Sequence, residues 1–345
     1  MKPCVPGRAI ERAATCFAAL ITLLLPSLSL AAPVELKLAF FTSEQSDTFR
    51  FGVKPFVDAV NAEGQGLVSI KVYSDGKLGK NVAEQAQMVL TGVADIAWVV
   101  PGQTPYRFPD NEVLEMPGLF RDVREGSLVY TRLVASGALR GYDSFFVIGA
   151  FASAPSIIHS RKPIRSIADF RGLKIRTNNT MEAETLGRFG AIPTVMPASM
   201  LADALAKGTV DAAVVSPTGL FQFGAAGSAK NHFLLAIGTA PLLVVMNRQR
   251  FEQLPDSVKA LIRKYSGDQA ATTWNKFFGA SEQASLDKIR SDPTRTAVEP
   301  SPADRKTAQD IYAALLQGWA AKAPRNARTL AAIEAQLATI RAEKQ

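Results

Sequence analysis

The chain has 345 residues and a formal net charge of +8, with 47% hydrophobic and 20% charged residues. This balance is typical of a folded protein, and it excludes a disordered chain or a protein with many membrane spans. The length exceeds what one hydrophobic core usually serves, so two domains are expected. The basic residues are scattered, without long runs or interleaved aromatic residues, which argues against a nucleic-acid partner. The positive charge fits either attraction of anions from solution or simple solubility.

The N-terminus has the pattern of a secretory signal peptide. Three basic residues precede an apolar stretch at 13–25, and they are Lys2, Arg8 and Arg12. That stretch is shorter than the ~20 residues that span a bilayer, so a permanent anchor is disfavoured. We expect residues 1–31 to be a signal peptide that ends in the small-x-small pattern Ser-Leu-Ala, with the mature protein exported to the periplasm.

Both cysteines lie inside this N-terminal segment. They are Cys4 and Cys16, and the sequence around Cys16 fits a lipid-attachment box poorly. The mature protein would therefore have no cysteine, which excludes disulfides, thiolate zinc sites and a cysteine nucleophile together.

Strand and helix patterns alternate along the rest of the chain. Strands are predicted over 34–41, 69–73, 94–100, 145–148, 156–159, 172–176 and 212–215, and helices over 48–61, 81–90, 182–189 and 200–207. Gly238 and Pro241 interrupt the apolar stretch 234–246, which favours two buried strands over a membrane span. Beyond Pro255 the pattern is wholly helical. This alternation predicts α/β domains, and without a linker the chain is expected to cross between them more than once.

The sequence has no recognisable catalytic motif. His159 and His232 are isolated in the sequence and lack metal-ligand spacing, so each is expected to be structural or at the surface. No Gly-x-Ser-x-Gly motif signals a nucleophile elbow. Residues 76–81 superficially resemble a phosphate loop, but the glycine spacing is wrong and a turn is the better interpretation. We therefore predict no catalytic residue, no metal site and no cofactor.

Two pairs of acidic residues were considered as acid–base partners. They are Glu112 with Glu115 and Asp122 with Glu125. Acidic residues near loops are common, so surface or turn roles are expected for both pairs.

Arg176 is the strongest binding candidate from the residues alone. It ends a short strand and is followed by the polar run 177–180. In open α/β sheets, ligands bind beyond the carboxyl ends of strands. An arginine there can hold a carboxylate with two parallel hydrogen bonds, although a surface salt bridge is an alternative role.

An ordered set of short stretches identifies a family resemblance. They are KLG at 77–79, LTGVADIA at 90–97, MPGLFRD at 116–122, KPIRSIADFRGLKIR at 162–176, GAIPT at 190–194, ALAKGTVD at 204–211 and VMN at 245–247 with LP at 254–255. From about Leu36 to the C-terminal helices, the chain resembles the DctP-type solute-binding subunits of tripartite ATP-independent periplasmic (TRAP) transporters.

The resemblance implies an α/β, two-lobed periplasmic binding protein fold whose lobes are joined by crossing strands and a long helix. The expected lobes are 32–153 plus 240–280, and 154–239 plus 281–345 with the C-terminal helices. Such lobes close on a ligand like a hinged trap. Arg176 corresponds to the arginine that binds the ligand carboxylate in most members. The implied partners are a small organic acid and the small and large TRAP membrane subunits, and a monomer is expected.

Departures from the family pattern indicate the kind of acid. Members that bind polar sugar acids have a second arginine where Ser156 aligns, and an asparagine where Val215 stands. Phe41 and Trp98 also replace polar positions of those relatives. Burial of apolar ligand surface contributes roughly 25 cal/mol per Å². We therefore expect a mostly apolar monocarboxylate, aromatic or branched; the alternative is that Phe41 and Trp98 belong to the lobe core.

The site roles follow from this interpretation. Arg176 anchors the anion, Asn178 and Ser216 orient it through polar contacts, and the walls are Phe41, Trp98 and Phe151. Two other functions stay open on the same scaffold. One is a periplasmic enzyme, for which no acid–base pair is visible, and the other is a sensor that presents its ligand to a membrane histidine kinase.

Overall fold

Two β-sheets covered by helices organise residues 33–343, the part of the chain that the computed structural model describes. The predicted signal peptide lies outside these residues. The strands are β1 (Val34–Ala39), β2 (Val68–Tyr73), β3 (Ile96–Val99), β4 (Phe145–Ala152), β5 (Ser156–Ser160), β6 (Lys174–Thr177), β7 (Ile192–Val195), β8 (Ala212–Val215), β9 (Asn231–Gly238), β10 (Pro241–Asn247) and β11 (Thr296–Val298). The α-helices are α1 (Lys54–Glu63), α2 (Gln85–Leu90), α3 (Val123–Ala135), α4 (Thr180–Arg188), α5 (Leu201–Lys207), α6 (Pro217–Gln222), α7 (Arg248–Glu252), α8 (Asp256–Lys264), α9 (Asp268–Ser291), α10 (Pro302–Ala321) and α11 (Pro324–Ala342).

The first lobe is built on a five-stranded sheet with the order β2-β1-β3-β10-β4. Strand β1 is parallel to β2 and β3, whereas β10 is antiparallel to β3 and β4. Along β10, Leu243 and Val245 face one hydrophobic core while Val244 and Met246 face another. A strand that is buried on both faces has a continuous run of apolar residues, which explains why the stretch 234–246 is so apolar.

The second lobe is built on a six-stranded sheet with the order β11-β9-β5-β8-β6-β7. Strands β6, β7 and β8 are parallel to one another, and β5 is antiparallel to β8 and β9. The chain enters this sheet between β4 and β5 and leaves it between β9 and β10. At these crossings, Ser153 N donates to Ala240 O over 3.0 Å, and Ala240 N donates to Ser153 Oγ over 3.0 Å. The two crossing segments are therefore held to each other.

Helix α9 spans 24 residues and packs against both lobes. Near its start, Trp274 and Phe278 are buried in a core of the first lobe, and Trp274 Nε1 donates to Ala152 O over 3.0 Å. Near its end, Ile289 is buried with Leu201 in the second lobe. The expected two-lobed α/β fold, with crossing strands and a long helix, is confirmed.

One sequence prediction about this fold is wrong. The segment after Pro255 is not wholly helical, because β11 pairs in parallel with β9 through Thr296 and Val298. A three-residue strand is too short to show a periodicity of its own. Of the two roles expected for the histidines, the structural one applies, since His159 and His232 are register partners on β5 and β9. Their Nδ1 atoms are 2.7 Å apart, and both side chains are buried.

The acidic pair at the start of α3 has a structural role. Asp122 caps this helix, since its Oδ1 accepts from Glu125 N over 2.9 Å. Glu125 lies in the first turn of α3 and is buried rather than at the surface, because Arg341 of α11 pairs with it at 2.9 Å. The carboxylate thus docks the C-terminal helix on the first lobe.

Within residues 33–343, no helix combines the length and the apolar composition that a bilayer crossing requires.

Candidate functional site

A cavity lies between the lobes, where the carboxyl ends of β1 and β3 face those of β6 and β8. Strands β6 and β8 run parallel, so Arg176, Asn178, Val215 and Ser216 come together at one edge of the second sheet. The lining includes an apolar set from both lobes, which is Phe41, Val82, Trp98, Val100, Ala198, Val214, Val215, Phe223, Leu242 and Phe278. Its polar side chains are Thr48, Gln103, Ser153, Ser156, Asn178, Ser216 and Gln222, and its ionisable ones are Arg176 and Glu182.

Arg176 is 1% exposed, so its side chain is buried rather than at the surface. Its Nε and Nη2 donate to Met196 O over 3.0 and 2.7 Å, and its Nη1 donates to Val214 O over 3.0 Å. Nη2 also donates to Asn178 Oδ1 over 3.3 Å. All these acceptors are neutral, and Arg176 forms no salt bridge with any residue in 33–343. The alternative of a surface salt bridge is therefore wrong.

The charge of this guanidinium survives its burial. Burial lowers the pKa of Arg176 to about 10, while the nearby Glu182 acts in the opposite direction. A group with this pKa is still protonated near neutral pH. The cavity therefore contains a buried cation, held rigidly by acceptors that are all neutral groups within residues 33–343.

Asn178 links Arg176 to the opposite lobe. Its side chain accepts from the guanidinium, and its backbone oxygen accepts from Gln103 Nε2 over 2.5 Å. Gln103 follows β3 of the first lobe, in the short turn Pro101–Gln103. A second contact of this kind joins Gln222 Nε2 to Thr48 Oγ1 over 3.1 Å. These contacts hold the two lobes together at the cavity, and the sequence did not predict Gln103, Gln222 or Thr48 as site residues.

Glu182 is the acidic side chain of the cavity. It lies in the first turn of α4, where Asn179 is the N-cap, and its Oε2 accepts from Asn178 N over 2.7 Å. Burial raises the pKa of Glu182 to about 7, although the Asn178 N–H and the Arg176 charge oppose that rise.

Glu115 is a second buried acid near this site. It is 3% exposed and ends the turn Asn111–Glu115, so of the expected surface or turn roles the surface one does not apply. Its Oε1 has no hydrogen-bond donor within residues 33–343. Burial, with the charges of Glu182 and Glu112, raises the pKa of Glu115 well above its ordinary value. This shift favours the neutral form of the Glu115 carboxyl.

The remaining predicted residues are placed as follows. Ser156 and Val215 are buried at the strand ends, and Ser216 caps α6 by accepting from Gly219 N over 3.2 Å. All three line the cavity, as do Phe41 and Trp98.

Trp98 belongs to the wall and to the core at once. Its ring lies 6.0 Å from that of Phe151 and 5.8 Å from that of Trp274, yet it also lines the cavity. Phe151 does not line the cavity, so its prediction as a wall is corrected. It is 1% exposed and stacks on Trp274 at 4.9 Å. The rings that join Phe41 and Trp98 in the lining are instead Phe223 and Phe278.

Within residues 33–343, no cluster of three or more histidine, cysteine or acidic side chains is arranged to hold a metal ion.

Sequence comparison decides the family. The model of the bacterial extracellular solute-binding protein family 7, DctP, matches residues 41–322. The chain belongs to this family. Its members are transport receptors for solutes, and the resemblance to TRAP solute-binding proteins is thereby confirmed.

Two curated relatives of this DctP-family chain are periplasmic binding proteins. The 2,3-diketo-L-gulonate-binding periplasmic protein of Escherichia coli is 28% identical over 279 residues, which cover 76% of this chain and 81% of that protein. The C4-dicarboxylate-binding periplasmic protein DctP of Rhodobacter capsulatus is 25% identical over 249 residues, covering 68% and 72%.

Solved TRAP solute-binding proteins share the fold. One from Rhodoferax ferrireducens, in complex with copurified benzoate, superposes with a TM-score of 0.83 at 25% identity, covering 90% of this chain and 100% of that one. Another, from a marine metagenome and specific for aromatic acid ligands, was crystallised with 3-hydroxybenzoate. It gives a TM-score of 0.80 at 26% identity and covers 90% and 99%.

Proposed function

We propose that this DctP-family protein captures a monocarboxylate with an aromatic or otherwise largely apolar body, and delivers it to TRAP membrane subunits. The observation that carries the proposal is the environment of Arg176, a buried cation without a salt bridge that opens on a mainly apolar cavity. A buried, rigid guanidinium is suited to a carboxylate, which it can hold through charge-assisted hydrogen bonds.

The charges of the cavity favour one carboxylate over two. Arg176 is the sole cation among the described lining residues. A second ligand carboxylate would be buried without a cation, which is costly. Val215 and Ser156 stand where family members that bind polar sugar acids have asparagine and arginine, respectively. Polar substituents of a ligand would therefore find few hydrogen-bond partners here.

The apolar lining accounts for the rest of the ligand. Phe41, Trp98, Phe223 and Phe278 offer ring surface from both lobes and from α9. Aromatic rings gain about 0.5–1.5 kcal/mol from offset or edge contacts beyond the burial of their area. The two solved relatives with aromatic acids, at 25% and 26% identity, support the same ligand class.

The proposed mechanism is lobe closure around the anion. The contacts of Gln103 with Asn178 and of Gln222 with Thr48 form between the lobes, so they belong to the closed arrangement. Closure removes water from the cavity, and the lower effective dielectric strengthens the pairing of the carboxylate with Arg176. In this role Asn178 and Ser216 orient the ligand, and Phe41 and Trp98 enclose it. We further propose that the mature protein works in the periplasm as a monomer.

A thermal-shift screen tests the proposal. Purified protein, unfolded and refolded to remove any copurified acid, is screened against benzoate, 3-hydroxybenzoate, branched-chain acids, dicarboxylates and sugar acids, with benzamide as the uncharged control. A ligand at ~100 times its dissociation constant stabilises the fold by about 2.7 kcal/mol. We expect a clear shift with aromatic or branched monocarboxylates and none with benzamide. No shift with any acid would refute the function, and a shift only with dicarboxylates or sugar acids would refute the ligand class.

A further inference from the structure

The cavity holds a balanced pair of ionisable groups before any ligand enters. Arg176 is the cation and Glu182 the acid among the described lining residues, and each is 1% exposed. They form no salt bridge, so Glu182 acts on Arg176 only through space. An incoming carboxylate brings a further negative charge into this enclosed volume.

That extra charge has a cost if Glu182 stays ionised. Two carboxylates would then share one guanidinium away from water, and an uncompensated buried charge is strongly unfavourable. Two carboxylates at one site also raise the pKa of one of them. A proton on Glu182 removes the excess charge and leaves Arg176 free to pair with the ligand alone.

Glu182 is placed to take up that proton. Its Oε2 accepts one hydrogen bond, from Asn178 N over 2.7 Å, which the neutral acid can keep. Burial already raises the pKa of Glu182 to about 7, so the neutral form is readily reached near neutral pH.

Among the described groups that surround α4, Arg176 is the cation whose charge acts on Glu182. Arg176 faces Glu182 from β6, and Glu115 faces it from the turn Asn111–Glu115. Strand β7 has no ionisable residue, and the single one of β9, His232, is paired with His159. From α10, Tyr312 packs against the second-lobe core and donates its hydroxyl to Ala236 O. Arg176 is thus the counter-charge that the ligand and Glu182 would have to share.

We infer that Glu182 takes up one proton from solution when the ligand carboxylate binds, so that the acid enters the cavity as an anion together with a proton. The carboxylate of Glu182 becomes a carboxylic acid in this step, and the ligand stays ionised against Arg176. This inference rests on the proposed function. It makes the pH dependence of binding a property of Glu182 and not of the ligand, since a simple carboxylic acid is already ionised above about pH 6.

Isothermal titration calorimetry with benzoate tests it. At about pH 7.5, titrations in buffers of different ionisation enthalpy give the number of protons taken up with each ligand. We expect a net uptake of more than half a proton, falling toward zero below about pH 5.5, where Glu182 is already neutral. Affinity should be flat at low pH and fall by up to about tenfold per unit above about pH 8, as linkage requires for one proton.

Two variants identify the group. Glu182→Gln should bind benzoate without proton uptake and with little pH dependence, while the matched control Glu115→Gln should keep the uptake of the parent protein. Benzoate binding with no net proton uptake in the parent, or uptake lost in Glu115→Gln and kept in Glu182→Gln, would overturn the inference and leave the proposed function standing. If benzoate and every other acid fail to bind, the proposed function itself is overturned.

Discussion

Gln103 and Asn178 join the two lobes directly beside the buried guanidinium. Gln103 Nε2 donates to Asn178 O over 2.5 Å and approaches Asn178 Oδ1 at 3.3 Å, the same oxygen that accepts from Arg176. The loop after β3 and the loop after β6 are thus coupled through one side chain. Any motion that separates the lobes has to break this contact, so it ties the geometry of the anion site to closure.

The first prediction concerns this contact. Gln103→Ala should weaken ligand binding by about 0.5–1.5 kcal/mol, the usual contribution of one hydrogen bond, because the closed arrangement loses a contact that the open one never had. The loss should appear mainly as faster dissociation, measured by stopped-flow fluorescence. Gln87→Ala is the matched control, since Gln87 bonds Arg107 within the first lobe. Equal effects of the two substitutions would contradict the role of Gln103 in closure.

The second prediction concerns the anchor. Arg176→Ala should cost about 2–5 kcal/mol of binding free energy, because the ligand carboxylate would be buried without a counter-charge. Arg176→Lys should recover only part of it, since an ammonium cannot reproduce the planar fork that bonds Met196 O and Val214 O. Calorimetry with benzoate measures both. Arg188→Ala, an exposed arginine on α4, is the control and should bind as the parent does. Near-parent affinity in Arg176→Ala would show that the anion binds elsewhere.

The third prediction separates wall from core. Phe41→Ala should weaken binding of an aromatic acid by about 1–2 kcal/mol through lost apolar contact, with a small effect on unfolding. Phe151→Leu should do the reverse, because Phe151 stacks on Trp274 away from the cavity. Its melting temperature should fall while its dissociation constant stays within about twofold. Calorimetry measures the binding of both variants and thermal denaturation measures their stability. A binding defect in Phe151→Leu without loss of stability would contradict the placement of Phe151 in the core.

The sequence can predict a site residue when that residue lies at the end of a recognisable strand, but not when only the packing of the two lobes brings it to the cavity. Arg176 could be placed at the cavity because a strand's carboxyl end is recognisable from the polar residues that follow it. Phe278 could not be found, since its spacing on α9 is that of an ordinary core residue and only the packing of two lobes turns it toward the cavity. The prediction for Phe151 was wrong because alternation along β4 shows that the strand has two faces. It does not show which face lines the cavity and which packs against Trp274.

The same limit applies to the fold. The apolar run of β9 and β10 predicted buried strands correctly, since burial on both faces leaves a direct signal. Helix α3 had no counterpart among the predicted elements, although Asp122 and Glu125 form a capping signal at its start. The histidine pair was invisible for a different reason. Its members are 73 positions apart, and only the register of β5 with β9 brings them together.

The last prediction follows from that pair. Burial lowers the pKa of His159 well below its ordinary value and that of His232 to about 4. The positive charge of Arg295 disfavours protonation of both rings and lowers both pKa values further. The folded protein therefore binds fewer protons here than the unfolded chain, whose histidines titrate near pH 6.5. Their contribution to stability is complete above that pH and is lost as the pH falls from about 6.5 toward 4.

Urea denaturation at steps between about pH 7.5 and pH 5 measures this loss. The free energy of unfolding should decrease more steeply through this range in the parent protein than in a variant without the histidine pair. This comparison is needed because burial raises the pKa values of Glu182 and Glu115, whose contribution to the pH dependence has the opposite sign. His232→Asn should be less stable at pH 7.5, because it breaks the buried contact with His159, and its stability should depend less on pH. The control His159→Asn removes the other ring and should flatten the same profile. Profiles of the parent and of both variants that run parallel between pH 7.5 and pH 5 would show that the two rings are not held neutral by the fold.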